Sequence, residues 1–288
     1  MRNTVIVTGA AGYVGRHVVR AVEALGFDAL AIARRGGIHF SESGVTVEGD
    51  VLDPSFDLRR YTNAQDVAAL IHLAWQDGFV HNATSHMLNL SRHFEFLTGM
   101  ADAGVPRIAA LGTMHEVGYW EGAIAADTPT NPLTLYGIAK DALRRSTTIA
   151  IGERSEYVWL RAYYIVGDDR RSRSIFTKLL EAADRGERKF PFTTGKTLYD
   201  FIDVEELGRQ IAVAALTPGA VGVVNVCSGQ PESLANRVEQ FIADNHLDVT
   251  LEYGAFPDRP YDSPGTWGDA SMINALMASS PYAKETNA

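Results

Sequence analysis

The sequence predicts a doubly wound parallel α/β sheet carrying a smaller C-terminal α/β unit. Three observations lead there. A β-branched run, Thr4-Val5-Ile6-Val7-Thr8, enters a glycine-rich turn and leaves it as an amphipathic helical stretch from Arg16 to Leu25. Short apolar runs then alternate with helical stretches as far as Ala162, the pattern of successive βαβ units. Beyond that point the alternation breaks down, and the smaller unit there is what a family resemblance implies.

Composition narrows the functional classes. The 288 residues are 46% apolar and 21% charged, enough for one large domain or one and a half with an ordinary core. A net charge of −9 provides no domain-wide basic field, which argues against nucleic acid as a partner. The single cysteine, Cys227, excludes an internal disulfide and a cysteine-based metal site and reads as a small core residue. No segment has the length or character of a membrane span or a secretory leader, so no membrane partner and a cytoplasmic location are expected. The stretch from Ala283 to Ala288 reads as a loose tail.

The first turn, Gly9-Ala10-Ala11-Gly12-Tyr13-Val14-Gly15, has the context a dinucleotide-binding loop needs. Gly9 allows the tight turn, Gly12 admits a pyrophosphate close to the backbone, and Gly15 lets helix pack on strand. The helix N-terminus offers free N–H groups to phosphate. The other reading of three glycines at a strand end is an ordinary turn.

Asp28 to Ala33 is the second strand, ending at Arg34-Arg35-Gly36-Gly37. In a dinucleotide fold an acid at this strand end takes the ribose 2′-hydroxyl, and an arginine accommodates a 2′-phosphate. No acid is near and Arg34 stands at the expected offset, which predicts NADP(H), with NAD(H) the second choice. Otherwise both arginines are solvated loop charges. Val45 to Glu48 is the third strand, followed by Gly49-Asp50-Val51-Leu52-Asp53. Asp50 is placed to accept from an adenine amino group and Val51 to pack on the ring.

The fourth strand spans Ala68 to Ala74 and holds His72, Leu73 and Ala74, with Trp75 next. His72 reads as structural. Apolar positions at helical spacing run from Thr84 to Ala103, with Gly104 and Pro106 as stop signals. His81, His86 and His93 lie in or beside this stretch without a convincing ligand spacing, so no metal site is expected. Arg107 to Leu111 is the fifth strand and leads into Gly112-Thr113-Met114-His115-Glu116.

Asn131-Pro132 then introduces a helix to about Ile149 that carries Tyr136 and Lys140. Four residues apart, their side chains share one helix face. A free phenol titrates near about 10, so bringing it to about 7 requires about 4 kcal/mol of preference for phenolate. A nearby ammonium in a water-poor site can supply a large share of that.

Together these segments resemble the extended branch of the short-chain dehydrogenase/reductase superfamily, from Thr4 to about Ser271. The GxxGxxG spacing after Thr8, the Gly49–Asp53 segment, His72-Leu73-Ala74 and the Tyr136–Lys140 pair carry the resemblance. It implies a Rossmann-type sheet over residues 1–166 plus 197–226, with a substrate-binding unit formed by 167–196 and 227–288. It makes Thr113, Tyr136 and Lys140 the catalytic set. It assigns cofactor contacts to Gly9, Ala11, Gly12, Tyr13, Val14, Gly15, Arg34, Asp50, Val51, Leu73, Ala74, Trp75, Tyr136 and Lys140. Arg161 to Gly167 resembles a segment whose backbone meets the nicotinamide, which adds Tyr163 and Ile165.

Substrate contacts are expected from Thr113, Met114, His115, Tyr164, Tyr199 and Arg259, the last resembling an arginine that binds a substrate diphosphate. This chain departs from the family pattern at Trp75, where an alanine is usual, at Tyr164 for asparagine, and at Tyr199 for arginine.

Dehydratases of this family carry an acidic pair directly after the catalytic threonine. Met114 and His115 stand there instead, with Glu116 one step further on, which disfavours dehydration. With Arg34 taken as a mark of NADPH, the expected activity is reduction of a nucleotide-linked 4-keto-6-deoxy sugar. NADPH would give hydride to the carbonyl carbon and Tyr136 the proton. Thr113 would polarise the oxygen and Lys140 would hold the ribose and tune Tyr136. The alternatives are a nucleotide-sugar epimerase with tightly bound NAD, and a reductase of a small natural-product ketone. A homodimer through the helices at Met87–Ala103 and Tyr136–Ile149 is the family expectation.

Overall fold

The structure, a computed structural model, describes residues 3–34, 44–167, 170, 174–257 and 263–281. In chain order the elements begin with β1 (Thr4–Thr8), α1 (Gly15–Ala24), β2 (Asp28–Ala33), β3 (Val45–Glu48), β4 (Val67–His72), α2 (Ser85–Leu88), α3 (Leu90–Asp102) and β5 (Arg107–Thr113). Next come β6 (Gly122–Ile124), α4 (Leu135–Ile151), β7 (Glu156–Ala162), β8 (Tyr164–Val166), α5 (Ile175–Asp184), β9 (Lys189–Pro191) and β10 (Leu198–Asp203). Then follow α6 (Val204–Leu216), β11 (Gly222–Val226), β12 (Pro231–Ser233), α7 (Leu234–Asp244), β13 (Thr250–Glu252), β14 (Gly265–Gly268) and α8 (Ser271–Ser279).

Seven parallel strands form the main sheet in the order β11-β7-β5-β4-β1-β2-β3, a Rossmann-type arrangement as the sequence predicts. The run Val5-Ile6-Val7 is apolar throughout because helices cover both faces of the sheet. Val5 and Val7 join a core with α1 and α6, through Val18, Val22, Leu207 and Ile211. Ile6 faces the other way, into a core with Phe96 and Leu97 of α3 and Leu143 and Ile151 of α4. The strand order turns back between β1 and β4. That switch point opens a crevice beyond the C-terminal strand ends, where ligands of such sheets bind.

A smaller sheet, β12-β10-β14-β6 with β8 alongside β10, lies at that end together with the β9–β13 pair. Its own core is built from Val166, Phe176, Leu179, Phe192, Val238 and Val249. Buried Asp200 of β10 ties the pieces together. Its carboxylate accepts from the backbone N–H groups of Ser228 (2.8 Å), Gly229 (3.0 Å) and Gly268 (3.0 Å), so the end of β11 and β14 are held on β10 by one charged side chain. β10 lies within the sequence range 197–226 grouped with the larger unit, and it pairs in the smaller sheet.

Two expected elements differ. The helix expected from Thr84 to Ala103 divides into α2 and α3 at Asn89, whose side-chain amide donates to Gln76 Oε1 (3.1 Å). The fourth strand stops at His72 rather than Ala74, because the amides of Leu73 and Ala74 turn to the Thr8 hydroxyl (3.2 Å each). Among the described residues no helix is long and apolar enough to cross a membrane. The stretches 35–37 and 168–169 and 171–173, the tail from Ala283, and Arg259 lie outside the described residues.

Candidate active site

The glycine loop between β1 and α1 is a cradle with no room for side chains. Gly9 has φ +70°, and a Cβ there would lie 2.8 Å from the Ala74 amide nitrogen. A Cβ on Gly15 would meet the Gly9 carbonyl oxygen at 2.1 Å, so the helix can approach the strand this closely only without one. α1 starts with no side-chain cap and no acid in its first turn, a helix N-terminus that favours an anion. Gly9, Ala11, Gly12, Arg34, Asp50, Val51, Leu73, Ala74 and Trp75 line one cavity of about 530 Å³ with Ile32, Ala33 and Gln76. This lining fits a dinucleotide: backbone amides for phosphate, apolar walls for rings, and the Asp50 carboxylate at the end of β3.

Other expected cofactor residues lie around the cavity. Tyr13 donates its hydroxyl to the Gly167 carbonyl, bracing the loop against the end of β8. Val14 packs on the main core. Tyr163 is buried and donates to Asn225 Oδ1 (3.2 Å), so its side chain points into the protein. Ile165 pairs with Ile202 of β10.

The reaction centre forms where the end of β5 meets the first turn of α4. Thr113 caps the short turn that follows it: its hydroxyl accepts from His115 N (3.3 Å), and its own N–H donates to Glu116 Oε1 (2.7 Å). Glu116 is fully buried. It accepts from Trp159 Nε1 (2.9 and 3.0 Å) and lies 3.6 Å from Arg144 and 3.7 Å from Arg161. Burial pushes its carboxyl above the usual range, with Arg161 and the Thr113 amide opposing. Glu116 therefore anchors Thr113 from beneath.

Tyr136 is buried beside the Thr113 side chain, whose hydroxyl acts to lower the phenol pKa. Lys140, only 4% exposed, donates to the Leu111 carbonyl (2.6 Å) and lies 5.9 Å from the Tyr136 ring centre. The expectation that Lys140 brings the phenol down toward neutrality is not met in this arrangement. Burial pushes Tyr136 up, the Thr113 hydroxyl opposes weakly, and burial draws Lys140 itself down to about 7. The physical reason is placement. The ammonium is engaged by a backbone carbonyl and an indole face rather than by the phenol.

Histidines crowd this centre, and sequence reading did not foresee it. The 76–84 loop carries His81 over the Tyr136 ring (5.6 Å, 12°) and to 4.4 Å from His115. It is tied to the start of α4 by the Tyr136 amide donating to the His81 carbonyl (2.8 Å) and the Leu135 amide to Asn82 Oδ1 (3.2 Å). His115 is drawn down to about 4 by burial and by His81, so it is neutral at pH 7. His72 and His93 form a buried pair, 2.9 Å apart, drawn down to about 3 and about 2 by burial. The signal available in the sequence was the density of histidines between residues 72 and 93. Among the described residues no three His, Cys, Asp or Glu side chains are grouped to hold a metal.

On the substrate side, Tyr164 and Tyr199 are brought together, ring centres 4.3 Å apart. Met114 packs in the main core. His115 lies 6.1 Å from the Tyr136 ring. Arg259 is among the residues not described.

With this geometry in place, comparison with known proteins is decisive. A family model described as the NAD dependent epimerase/dehydratase family matches residues 5–227. The chain belongs to that family. It is an NAD(P)-dependent oxidoreductase of the epimerase/dehydratase type. It is 43% identical over 268 residues, 92% of this chain and 98% of the relative, to a protein of Aggregatibacter actinomycetemcomitans named dTDP-6-deoxy-L-talose 4-dehydrogenase (NAD(+)). The fold resembles MoeE5 in complex with UDP-glucuronic acid and NAD, with TM-score 0.72, 24% identity, 95% of this chain and 92% of that one. It also resembles a UDP-glucuronic acid 4-epimerase from Bacillus cereus in complex with UDP-glucuronic acid and NAD, with TM-score 0.78, 19% identity, 96% of this chain and 94% of that one.

These findings overturn the expectation of NADP(H). The 43%-identical relative is named for NAD(+), and both solved structures hold NAD. The structure gives the physical reason. Arg34 ends β2 where expected but is exposed, and among the described lining residues no second cation joins it, while Asp50 shares the same cavity. A 2′-phosphate site needs converging donors. Among the described residues only the exposed Arg34 guanidinium stands at this rim.

Proposed function

We propose that this chain is an NAD(H)-dependent oxidoreductase acting at carbon 4 of a nucleotide-linked 6-deoxyhexose, interconverting the 4-hydroxyl and 4-keto forms. The observation that carries this reading is the 43% identity with a 4-dehydrogenase of a dTDP-linked 6-deoxy sugar, over 98% of that relative. The juxtaposed Thr113 and Tyr136 side chains, beside a cavity that fits a dinucleotide, support it.

A bound nicotinamide supplies hydride transfer to or from carbon 4. Thr113, fixed by Glu116, holds the oxygen at that carbon and orients it toward Tyr136. In the reductive direction the Tyr136 phenol, kept protonated by burial, gives its proton to that oxygen. In the oxidative direction the phenolate form of Tyr136 takes the proton of the 4-hydroxyl as hydride leaves carbon 4. Tyr164 and Tyr199 contribute aromatic surface on the substrate side.

The test is to offer NADH and NADPH with a dTDP-linked 4-keto-6-deoxyhexose and follow cofactor absorbance. Steady NADH consumption, at least about tenfold favoured over NADPH (about 1.4 kcal/mol), is expected. Failure to consume NADH contradicts the reading.

A second reading is the NAD-linked nucleotide-sugar epimerase. Curated relatives named as nucleotide-sugar epimerases and the Bacillus cereus structure support it, and the comparisons support it better than the NADPH-dependent ketoreductase expected from Arg34. In that reading the same residues oxidise and re-reduce carbon 4 without net use of NADH.

We also propose a homodimer through the α3 and α4 face. Leu88 of α2 and Ile149 of α4 are 76% and 82% exposed there. Sedimentation of the wild type against Ile149→Glu tests it: a dimer converted to monomer is expected, and a wild-type monomer contradicts it.

A further inference from the structure

Trp75 replaces a small residue in the family pattern, at the wall between the cofactor cavity and the reaction centre, and its surroundings hold it rigidly. One face of the indole stacks on the His93 ring, centres 4.4 Å apart and 15° between planes. Its Nε1–H donates to His86 Nδ1 (3.0 Å). An indole N–H can only donate, so His86 Nδ1 accepts, and its Nε2 carries the proton that reaches the Val80 carbonyl (2.9 Å).

His93 is fixed in the same way. The Thr8 oxygen accepts from the Leu73 and Ala74 amides, so its hydroxyl proton goes to His72 Nδ1 (2.9 Å). His72 Nε2–H then donates to His93 Nδ1 (2.9 Å). Hydrogen bonds of defined direction thus set both imidazoles that frame the indole.

Lys140 Nζ lies over this indole at 3.8 Å from the ring centre. The buried ammonium has the Leu111 carbonyl as its hydrogen-bond acceptor, and among the described residues no carboxylate lies within ion-pair distance of it. The other groups facing it are Glu116, Tyr136, the Trp159 ring, and the neutral His72 and His93.

We propose that Trp75 is a positioning residue for Lys140, its indole face holding the ammonium charged and in register beside Tyr136. A cation over a desolvated indole is attracted by the ring quadrupole, most strongly for tryptophan among the aromatic residues. The contact opposes the burial that draws Lys140 down to about 7. Whatever charge Lys140 offers to the phenol at neutral pH then depends on Trp75. The catalytic weight of this contact rests on the proposed role of Thr113, Tyr136 and Lys140. The contact itself does not depend on the substrate.

The test is to label the full-length protein with [¹³Cε]lysine and follow the Lys140 signal against pH without cofactor, assigning it by its loss in Lys140→Arg. Trp75→Leu is expected to lower the Lys140 midpoint by about one pH unit, a tenfold change. Trp75→Phe is expected to fall between leucine and wild type. It also retains an aromatic ring in the fold should the leucine variant fail to fold. In turnover, the pH dependence of kcat is expected to shift in the same direction and order.

A folded Trp75→Leu with an unchanged midpoint overturns the proposal, as does a Trp75→Phe midpoint equal to or above wild type. Because the titration is read without substrate, a protein that shifts as expected yet turns over no nucleotide sugar refutes the proposed function and leaves this inference standing.

Discussion

The cofactor crevice and the reaction centre lie side by side but are built on different principles. The crevice is made of backbone: glycines where no Cβ fits, uncapped helix N–H groups, and strand ends. The reaction centre is made of side chains that reach it from β4, the 76–84 loop, β5 and α4, each held by a buried partner. Changes in the crevice should therefore act through sterics and folding. Changes in the centre should act through proton position and charge.

The largest expected effect is in the centre. Tyr136→Phe removes the proposed proton donor and should lower turnover by about 10²–10⁴-fold. Thermal stability should stay near wild type, because phenylalanine keeps the ring that packs with His81 and Trp75. Comparable loss of both activity and melting temperature would place Tyr136 with the scaffold instead.

Glu116→Ala comes next and blurs the line between the two regions. It leaves buried Arg161 without its carboxylate and frees the Thr113 amide, while Arg144 keeps Asp141, so about 3–5 kcal/mol of stability should be lost. Denaturant unfolding measures it, and a loss below about 1 kcal/mol would mean that the Arg161 guanidinium finds another partner.

In the crevice, Gly15→Ala forces a Cβ against the Gly9 carbonyl, which should cost about 1–3 kcal/mol and weaken NADH binding. Gly99→Ala in α3 has open space and should stabilise by about 0.5–1 kcal/mol, leaving cofactor affinity unchanged. Equal effects at the two glycines would refute the close-packing account.

The pH dependence of stability separates the regions further. His72 and His93 have folded values of about 3 and about 2, below the ordinary 6.5, so the unfolded chain binds more protons as pH falls. Stability from this pair is present in full above about pH 6.5 and is lost as pH drops toward 3. Lys140, drawn down to about 7 from 10.5, has the same sign in a higher window, so its contribution rises with pH between those values. His93→Phe should flatten the acid limb of an unfolding-midpoint curve. An unchanged limb would mean that these imidazoles titrate normally.

The same contrast explains what could be read in the sequence. The Thr4–Thr8 strand, the glycine spacing, and the Tyr136–Lys140 pair are local patterns whose meaning is fixed within a few residues. They predict the sheet, the crevice and the reacting side chains. Arg34 misled because one residue's type was taken for a site, when 2′-phosphate recognition depends on several groups converging in space. His81 and Glu116 were illegible for a related reason. A loop conformation brings His81 over Tyr136, and the three-residue turn after β5 sends Glu116 inward to Trp159 rather than toward substrate. Trp75 was visible as a departure, but its partner Lys140 lies far along the chain.

Net hydride transfer with NAD(H) at carbon 4 of a nucleotide-linked 6-deoxyhexose separates the proposed dehydrogenase from an epimerase. The most direct measurement uses NADH deuterated at the transferring position with a dTDP-linked 4-keto-6-deoxyhexose, and counts deuterium in the product by NMR. One deuterium at carbon 4 for each NADH consumed is the result predicted here. Interconversion of 4-hydroxy sugars with no NADH consumed and no deuterium acquired would contradict it and identify an epimerase.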